Sequence, residues 1–166
     1  KTIDNDLFGT DHCPGFGSAA KYIASTCMEL YRDASVYDTG AVTIVEVMGR
    51  NAGWLTAAAA LATHMGAGPD LIYLPEVDFD LEKFLKEVDE VWDRRKNVLV
   101  AVSEGIKDKD GTFISEYGGD TAATKDAFGH AQMGGLAATL AEIVKSRTGR
   151  KVRAIELSLL QRCATH

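Results

Sequence analysis

The chain has 166 residues, 46% of them hydrophobic, and a formal net charge of -6. That length is one domain, able to bury roughly 70% of its unfolded surface with no disulfide or metal staple. An acidic balance with no basic block argues against nucleic acid or an anionic membrane as a main partner, and no apolar run approaches the roughly 20 residues of a membrane span.

Cys13, Cys27 and Cys163 are odd in number and far apart, and they match neither a disulfide framework nor zinc spacing. A reducing, cytoplasmic setting is the expectation. There is no initiator Met, and the chain opens on Lys1-Thr2-Ile3. We read it as a piece of a longer polypeptide.

Lys1 to Pro14 is polar and turn-forming, with Asp4, Asn5, Asp6 and Asp11 crowding its front. Phe16, Ala19, Ala20, Ile23, Cys27 and Leu30 then form one stripe at helical spacing, predicting a helix over Gly15 to Arg32. After a loop, the β-branched run Val42 to Val47 predicts a buried strand. It ends in Met48-Gly49-Arg50-Asn51-Ala52-Gly53, a turn with two glycines, which opens into a helix from Trp54 to Thr63. Gly66-Ala67-Gly68-Pro69 stops that helix. Leu71 to Leu74 is a second short strand, ended by Pro75. Asp80 is a good N-cap for a helix that carries Leu81, Phe84, Leu85, Val88 and Val91 on one face. Asn97 to Val102 is a third strand and delivers Ser103-Glu104-Gly105 at its carboxyl end. Lys107 to Phe128, rich in glycine and aspartate, reads as a surface excursion. Gly134-Gly135 opens a fourth helix with Leu136, Leu140, Ile143 and Val144 inward. Val152 to Leu157 is a fourth strand.

Strands alternating with helices, with no hairpin signal between them, imply an α/β fold with a parallel sheet covered on both faces. Right-handed crossovers would gather Met48–Arg50, Pro75–Glu76, Ser103–Glu104 and Leu157–Ser158 along one edge. Such edges are where α/β domains bind ligands.

Several motifs can be weighed on their residues. Gly15-x-Gly17-x-x-Ala20 mimics a dinucleotide fingerprint, but Asp11-His12-Cys13-Pro14 is no apolar strand, so the criterion fails. Asp108-Lys109-Asp110-Gly111 has only part of a calcium-loop pattern and reads as a plain turn. The histidines, His12, His64, His130 and His166, share no metal-ligand spacing. Arg50 sits at a strand end, where its planar fork suits a phosphate; an exposed arginine paired with a carboxylate is the alternative. Asp4 and Asp6 could be ordinary solvated turn residues. They could equally be a base for a hydroxyl and a carboxylate near Mg²⁺, with Lys1 neutralising charge beside them. Glu104 could accept from sugar hydroxyls or serve as a helix N-terminal acid. Arg153, inside the fourth strand, is an edge residue or, if turned to the ligand edge, a phosphate clamp.

Thr2-Ile3-Asp4-Asn5-Asp6 with Gly9-Thr10-Asp11, then Val45-Glu46-Val47-Met48-Gly49-Arg50, resembles the phosphofructokinases. The match continues in unbroken order through Leu74-Pro75-Glu76, Val102-Ser103-Glu104, Arg153-Ala154 and Gln161-Arg162. The resemblance implies a three-layer, Rossmann-like domain with a mostly parallel sheet, the fructose 6-phosphate half of such an enzyme over residues 1–166. Its catalytic turn would lie at 1–14, with the donor-binding domain elsewhere. It further implies phosphoryl transfer to the 1-hydroxyl of fructose 6-phosphate, a glycolytic step, with Mg²⁺. Asp4 would be the general base, and Thr2 and Ile3 would line the reacting region. Asp6 would support catalysis near Mg²⁺. Met48, Gly49 and Arg50 would bind substrate, Arg50 also stabilising transferring charge, while Glu104 would hold the sugar and Arg153 its 6-phosphate. Arg162 is a further phosphate candidate.

Lys1, where familiar ATP-dependent members carry Gly, and the segment Arg153 to Cys163 resemble the pyrophosphate-dependent branch. An ATP-dependent enzyme or a non-catalytic sugar-phosphate sensor are the alternatives. Ala41 and Leu159 stand where tetrameric bacterial members have a phosphate-binding Arg and His. A homo-oligomer is implied for the full enzyme, with no nucleic acid or membrane partner.

Overall fold

The β-branched run forms β1 (Ala41–Val47), and every residue in it is buried. The computed structural model describes residues 2–118 and 135–164. Around β1 lie β2 (Leu71–Tyr73), β3 (Asn97–Ser103) and β4 (Val152–Glu156), in the order β2-β3-β1-β4. All three pairings are parallel.

Alternation along β1 divides the core. Val42 and Ile44 face one side, against α3 (Leu81–Arg95) and α4 (Leu136–Thr148), through Phe84, Val88, Leu136, Leu140 and Val144. Val45 and Val47 face the other, against α1 (Phe16–Ser35), α2 (Trp54–Ala58) and the 3₁₀ helix that follows it, through Ala19, Ile23, Cys27, Leu55 and Ala59. A strand buried on both faces must be apolar at nearly every position, which explains the composition of β1 and β3. The sheet lies between two helical layers, as the sequence implies.

The crossovers fix where a ligand can sit. The chain leaves β1 toward the α1–α2 layer and leaves β3 toward the α3–α4 layer. Adjacent parallel strands whose following segments diverge to opposite faces leave a crevice at their carboxyl ends. The carboxyl ends of β1 and β3 meet at that switch point.

Several local expectations change. The second helix is α-helical only over Trp54–Ala58 and tightens to a 3₁₀ helix over Ala59–Met65. The first helix continues to Ser35. The excursion is not all surface within the described residues. Lys107 and Phe113 form an antiparallel bridge, Ile114–Gly118 is a 3₁₀ helix, and Ile114 is fully buried in the α3–α4 core. The rest of the excursion, together with Gly134, lies outside the described residues. The Asp108 segment is a turn, its carboxylate accepting from the N–H groups of Asp110 and Thr112 at 2.9 Å each.

Candidate functional site

The turn after β1 is held by partners from across the sheet. Gly49 has φ 137°, and a Cβ there would lie 2.4 Å from the Ala52 carbonyl oxygen, so only glycine fits. The Gly49 N–H donates to the Glu104 carboxylate at 3.4 Å, and the Ser103 hydroxyl donates to the Gly49 carbonyl. Gly105 permits the approach of the two turns: a Cβ on it would fall 1.9 Å from the Arg50 carbonyl oxygen. On the far side, the Gly53 N–H donates to Glu76 at 2.7 Å. The Leu74-Pro75-Glu76 motif thus secures the start of α2.

The leading turn is organised by a residue the sequence reading left among ordinary polar positions. Asn5 is buried with φ 59°, in the left-handed region that asparagine tolerates better than most side chains. Its amide donates to the Asp11 carbonyl at 3.1 Å, and its oxygen accepts from the Cys13 N–H at 2.7 Å. The Asp4 N–H donates to the Thr2 hydroxyl at 3.1 Å. Ile3 packs against the α1–α2 core. These bonds close the loop and hold Asp4 against the sheet's ligand edge.

Electrostatics bring the expected site residues together. Burial raises the Asp4 carboxyl above the usual range and neighbouring Asp6 raises it further, while the guanidiniums of Arg162 and Arg50 pull it down. Glu104 is also raised by burial; the Gly49 N–H opposes that, Asp4 adds to it, and Arg50 and Arg162 again oppose. Asp4, Arg50, Glu104 and Arg162 therefore act on one another at a single edge, with exposed Asp6 beside them.

Next to this group is a cleft of about 340 Å³ lined by Glu46, Met48, Glu104, Glu156, Leu159 and Gln161, among others. The volume lies in the small-ligand range. With Arg50 and Arg162 supplying cations and Glu46, Glu104 and Glu156 supplying carboxylates, the edge is polarised. A ligand with an anionic group and several hydroxyls matches it, the anion toward the guanidiniums and the O–H donors toward the carboxylates.

Arg153 does not join this group. It pairs in register with Thr43, near the amino end of β1, and its guanidinium donates to Asp33 at 2.7 Å and lies over the Tyr37 ring at 5.0 Å from the centroid. With strands rising about 3.3 Å per residue, that is well over 10 Å from the turn holding Arg50. Within one chain, then, Arg153 stands apart from the other residues expected at the sugar phosphate. Ala41 is likewise buried at the amino end of β1, whereas Leu159 is exposed at the cleft. Lys1 lies outside the described residues, as do His130 and His166.

Two lining residues carry functions the sequence reading did not assign. Glu46 accepts from the Ala137 N–H at 2.9 Å, at the start of α4. Gln161 accepts from the Met48 N–H at 3.0 Å and donates to the Ser158 carbonyl at 3.0 Å. An amide three residues beyond a turn gives no signal of such bonds in a single sequence.

No cluster of three or more His, Cys, Asp or Glu that could hold a metal occurs among the described residues. Mg²⁺ engaged in phosphate chemistry commonly takes only one or two protein carboxylates and completes its shell with phosphate oxygens and water. Exposed Asp6, beside Asp4, fits that sparse donor set. Among the described residues no helix is long and apolar enough to cross a membrane.

Residues 1–158 match the family described as phosphofructokinase. The pyrophosphate--fructose 6-phosphate 1-phosphotransferase of Xanthomonas campestris pv. campestris is 50% identical over 172 residues, covering 100% of this chain and 40% of that protein. Its counterpart from Halomonas elongata is 45% identical over 169 residues, covering 100% of this chain and 39% of that protein. The crystal structure of a pyrophosphate-dependent phosphofructokinase from Marinobacter aquaeolei matches with TM-score 0.80 at 38% identity, over 100% of this chain and 37% of that one. The chain spans about two fifths of the length of the curated relatives it matches.

Proposed function

This chain belongs to the phosphofructokinase family, and from that premise we propose that the enzyme containing it transfers a phosphoryl group from pyrophosphate to the 1-hydroxyl of fructose 6-phosphate. The product is fructose 1,6-bisphosphate, and the step is glycolytic. The observation that carries the reading is the grouping of Asp4, Arg50, Glu104 and Arg162 at the switch point of the sheet.

In this mechanism Asp4 accepts the proton of the 1-hydroxyl as the sugar oxygen attacks the terminal phosphorus. The bridging P–O bond breaks, and inorganic phosphate leaves. Arg50 stabilises charge on the transferring group. Glu104 accepts from sugar hydroxyls, with Met48 and Gly49 forming the wall beside it and Thr2 and Ile3 lining the reacting region. Arg162 is the cation this chain offers to the 6-phosphate. Lys1 neutralises charge on the donor. Asp6 would hold Mg²⁺, which when bound neutralises phosphate charge.

Residues 1–166 act as the sugar-phosphate domain, and donor binding falls mainly to the remainder of the enzyme. Pyrophosphate is favoured over ATP by the resemblance of Lys1 and of Arg153 to Cys163 to that branch, and by the activity named for the two relatives described above. The setting we assign is the cytoplasm, in keeping with free Cys13, Cys27 and Cys163, and the full enzyme is assigned a homo-oligomeric state. A non-catalytic sensor is disfavoured because it has no use for a partly buried base at Asp4.

The test is an assay of the full-length enzyme with fructose 6-phosphate and each donor in turn. Turnover with pyrophosphate at least about tenfold above that with ATP is expected. Preference for ATP would reassign the donor, and turnover with neither would remove the enzymatic reading.

A further inference from the structure

We propose that Gln161 is a positioning residue for sugar-phosphate binding, its buried amide joining the two turns that wall the cleft and setting their separation. The inference rests on the reading of the cleft as a sugar-phosphate site.

One wall is the turn after β1, Met48-Gly49-Arg50; the other is the turn after β4 that runs into α5 (Leu160–Cys163). They are 113 residues apart in sequence where Gln161 bonds Met48. Gln161 is 2% exposed, and it uses one end of its amide on each wall: the oxygen takes the Met48 N–H, and the nitrogen gives to the Ser158 carbonyl. Ser158 is held at φ 48°, a left-handed conformation that serine adopts only when its surroundings impose it. The residue that follows Gln161 is Arg162, whose guanidinium acts on both Asp4 and Glu104. Gln161 thus fixes the backbone immediately before one site arginine and two residues before the other.

The amide suits this place chemically. The pair of groups to be satisfied is one N–H donor and one carbonyl acceptor, which a glutamine side chain meets with one acceptor and one donor. The cleft already carries Glu46, Glu104 and Glu156. An ionised glutamate at 161 would add a fourth carboxylate and turn an oxygen toward the Ser158 oxygen. A protonated one would restore both bonds, accepting from Met48 and donating to Ser158. Methionine, of similar length, would make neither.

The experiment is steady-state kinetics of the full-length enzyme with fructose 6-phosphate varied at saturating pyrophosphate. Gln161→Met is expected to raise KM for fructose 6-phosphate about tenfold, with kcat falling much less. Gln161→Glu should come within about twofold of wild-type KM at pH 6 and reach the defect of the methionine variant by pH 8, because burial and the neighbouring acidic side chains keep the new carboxyl protonated at the lower pH. The readout is the ratio of variant to wild-type KM at each pH, because Glu46 in the same cleft titrates over this range in both proteins. Should Gln161→Met fail to fold, the glutamate variant decides alone, compared with wild type at each of the two pH values. KM within about twofold of wild type for the variants at both pH values, or a loss confined to kcat, would overturn the inference while leaving the function intact. If wild type turns over with neither donor, the functional reading fails and the inference falls with it.

Discussion

The carboxyl of Asp4 has the properties required of a base that must take a proton from an alcohol. Burial raises its proton affinity first and Asp6 second, and Arg162 and Arg50 limit the rise. A base closer in affinity to the operating pH transfers the proton more effectively, and a positioned base contributes about 10²- to 10⁴-fold to rate. Asp4→Asn keeps the shape but leaves only an amide oxygen, which can accept a hydrogen bond yet is too weak a base to take the proton. In the full-length enzyme it should lower kcat by about that factor, with KM for fructose 6-phosphate changed by no more than about threefold. Steady-state rates with both substrates varied measure this; a kcat within about tenfold of wild type would place the base elsewhere. Asp4, Arg50 and Glu104 were legible because the motifs name them and each stands at a predicted strand end or at the head of the chain. The place of Arg153 was not legible, for a physical reason. Its register against Thr43, not its position in the sequence, decides which end of the sheet it occupies. Asn5 and Gln161 were illegible because a buried amide and a solvated one look alike until the turns around them are closed.

The strand β1 and the helix α4 are joined by a titratable group. Gly135, in a left-handed conformation, offers no side-chain cap to α4, and Glu46 reaches from β1 to accept from Ala137. Pattern reading places Glu46 with Val42 and Ile44 on the α4 side of the sheet by simple alternation, but only the three-dimensional arrangement shows the helix start above it. Burial, with lesser contributions from Glu156 and Glu104, pushes its carboxyl from 4.5 up to about 7, against the opposing pull of the helix N–H groups. The folded form therefore holds a proton that the unfolded chain releases near 4.5. The stabilisation from this group is complete below about pH 4.5 and is lost as pH rises through about 7. Its full size is on the order of 3 kcal/mol. Glu46→Gln has no proton to lose. Its stability relative to wild type should rise between pH 5 and pH 8 by an amount of that order, read from urea melts of both proteins at each pH. A difference that stays constant with pH would show that Glu46 titrates normally. Other element-level surprises have the same origin as Glu46. Ala59 and Ala62 bury their faces in a tighter helix, and Ile114 enters the core from what reads as a polar loop, both through packing that propensity does not encode.

At the scale of the molecule, the core and the proposed reaction make different demands on the chain. Both faces of the sheet are covered, with Phe84, Leu136 and Leu140 filling one side and Ile23 and Leu55 the other. The three crossovers share one hand, as parallel α/β sheets require. The residues assigned to the sugar phosphate come from the ends of β1, β3 and β4 and from the leading turn. The donor is different. Our reading assigns it mainly to residues outside the 166, and phosphoryl transfer depends on holding donor and acceptor in line, where positioning alone can supply an effective molarity of about 10⁵ M or more. Apolar side chains stand exposed at this end of the fold: Leu159 and Leu160 after β4, and Leu7 and Phe8 in the leading loop. The 166-residue chain produced alone should therefore fold, with a cooperative melt and the circular dichroism of an α/β domain, and it should bind fructose 6-phosphate weakly by calorimetry. With Mg²⁺ and either donor it should form no detectable fructose 1,6-bisphosphate. Turnover by the isolated chain would mean that the donor site is built from these residues, and the division of labour proposed here would have to be redrawn. A folded chain with no affinity for the sugar phosphate would move the acceptor cleft instead, because the arginines and carboxylates described above are all present in it.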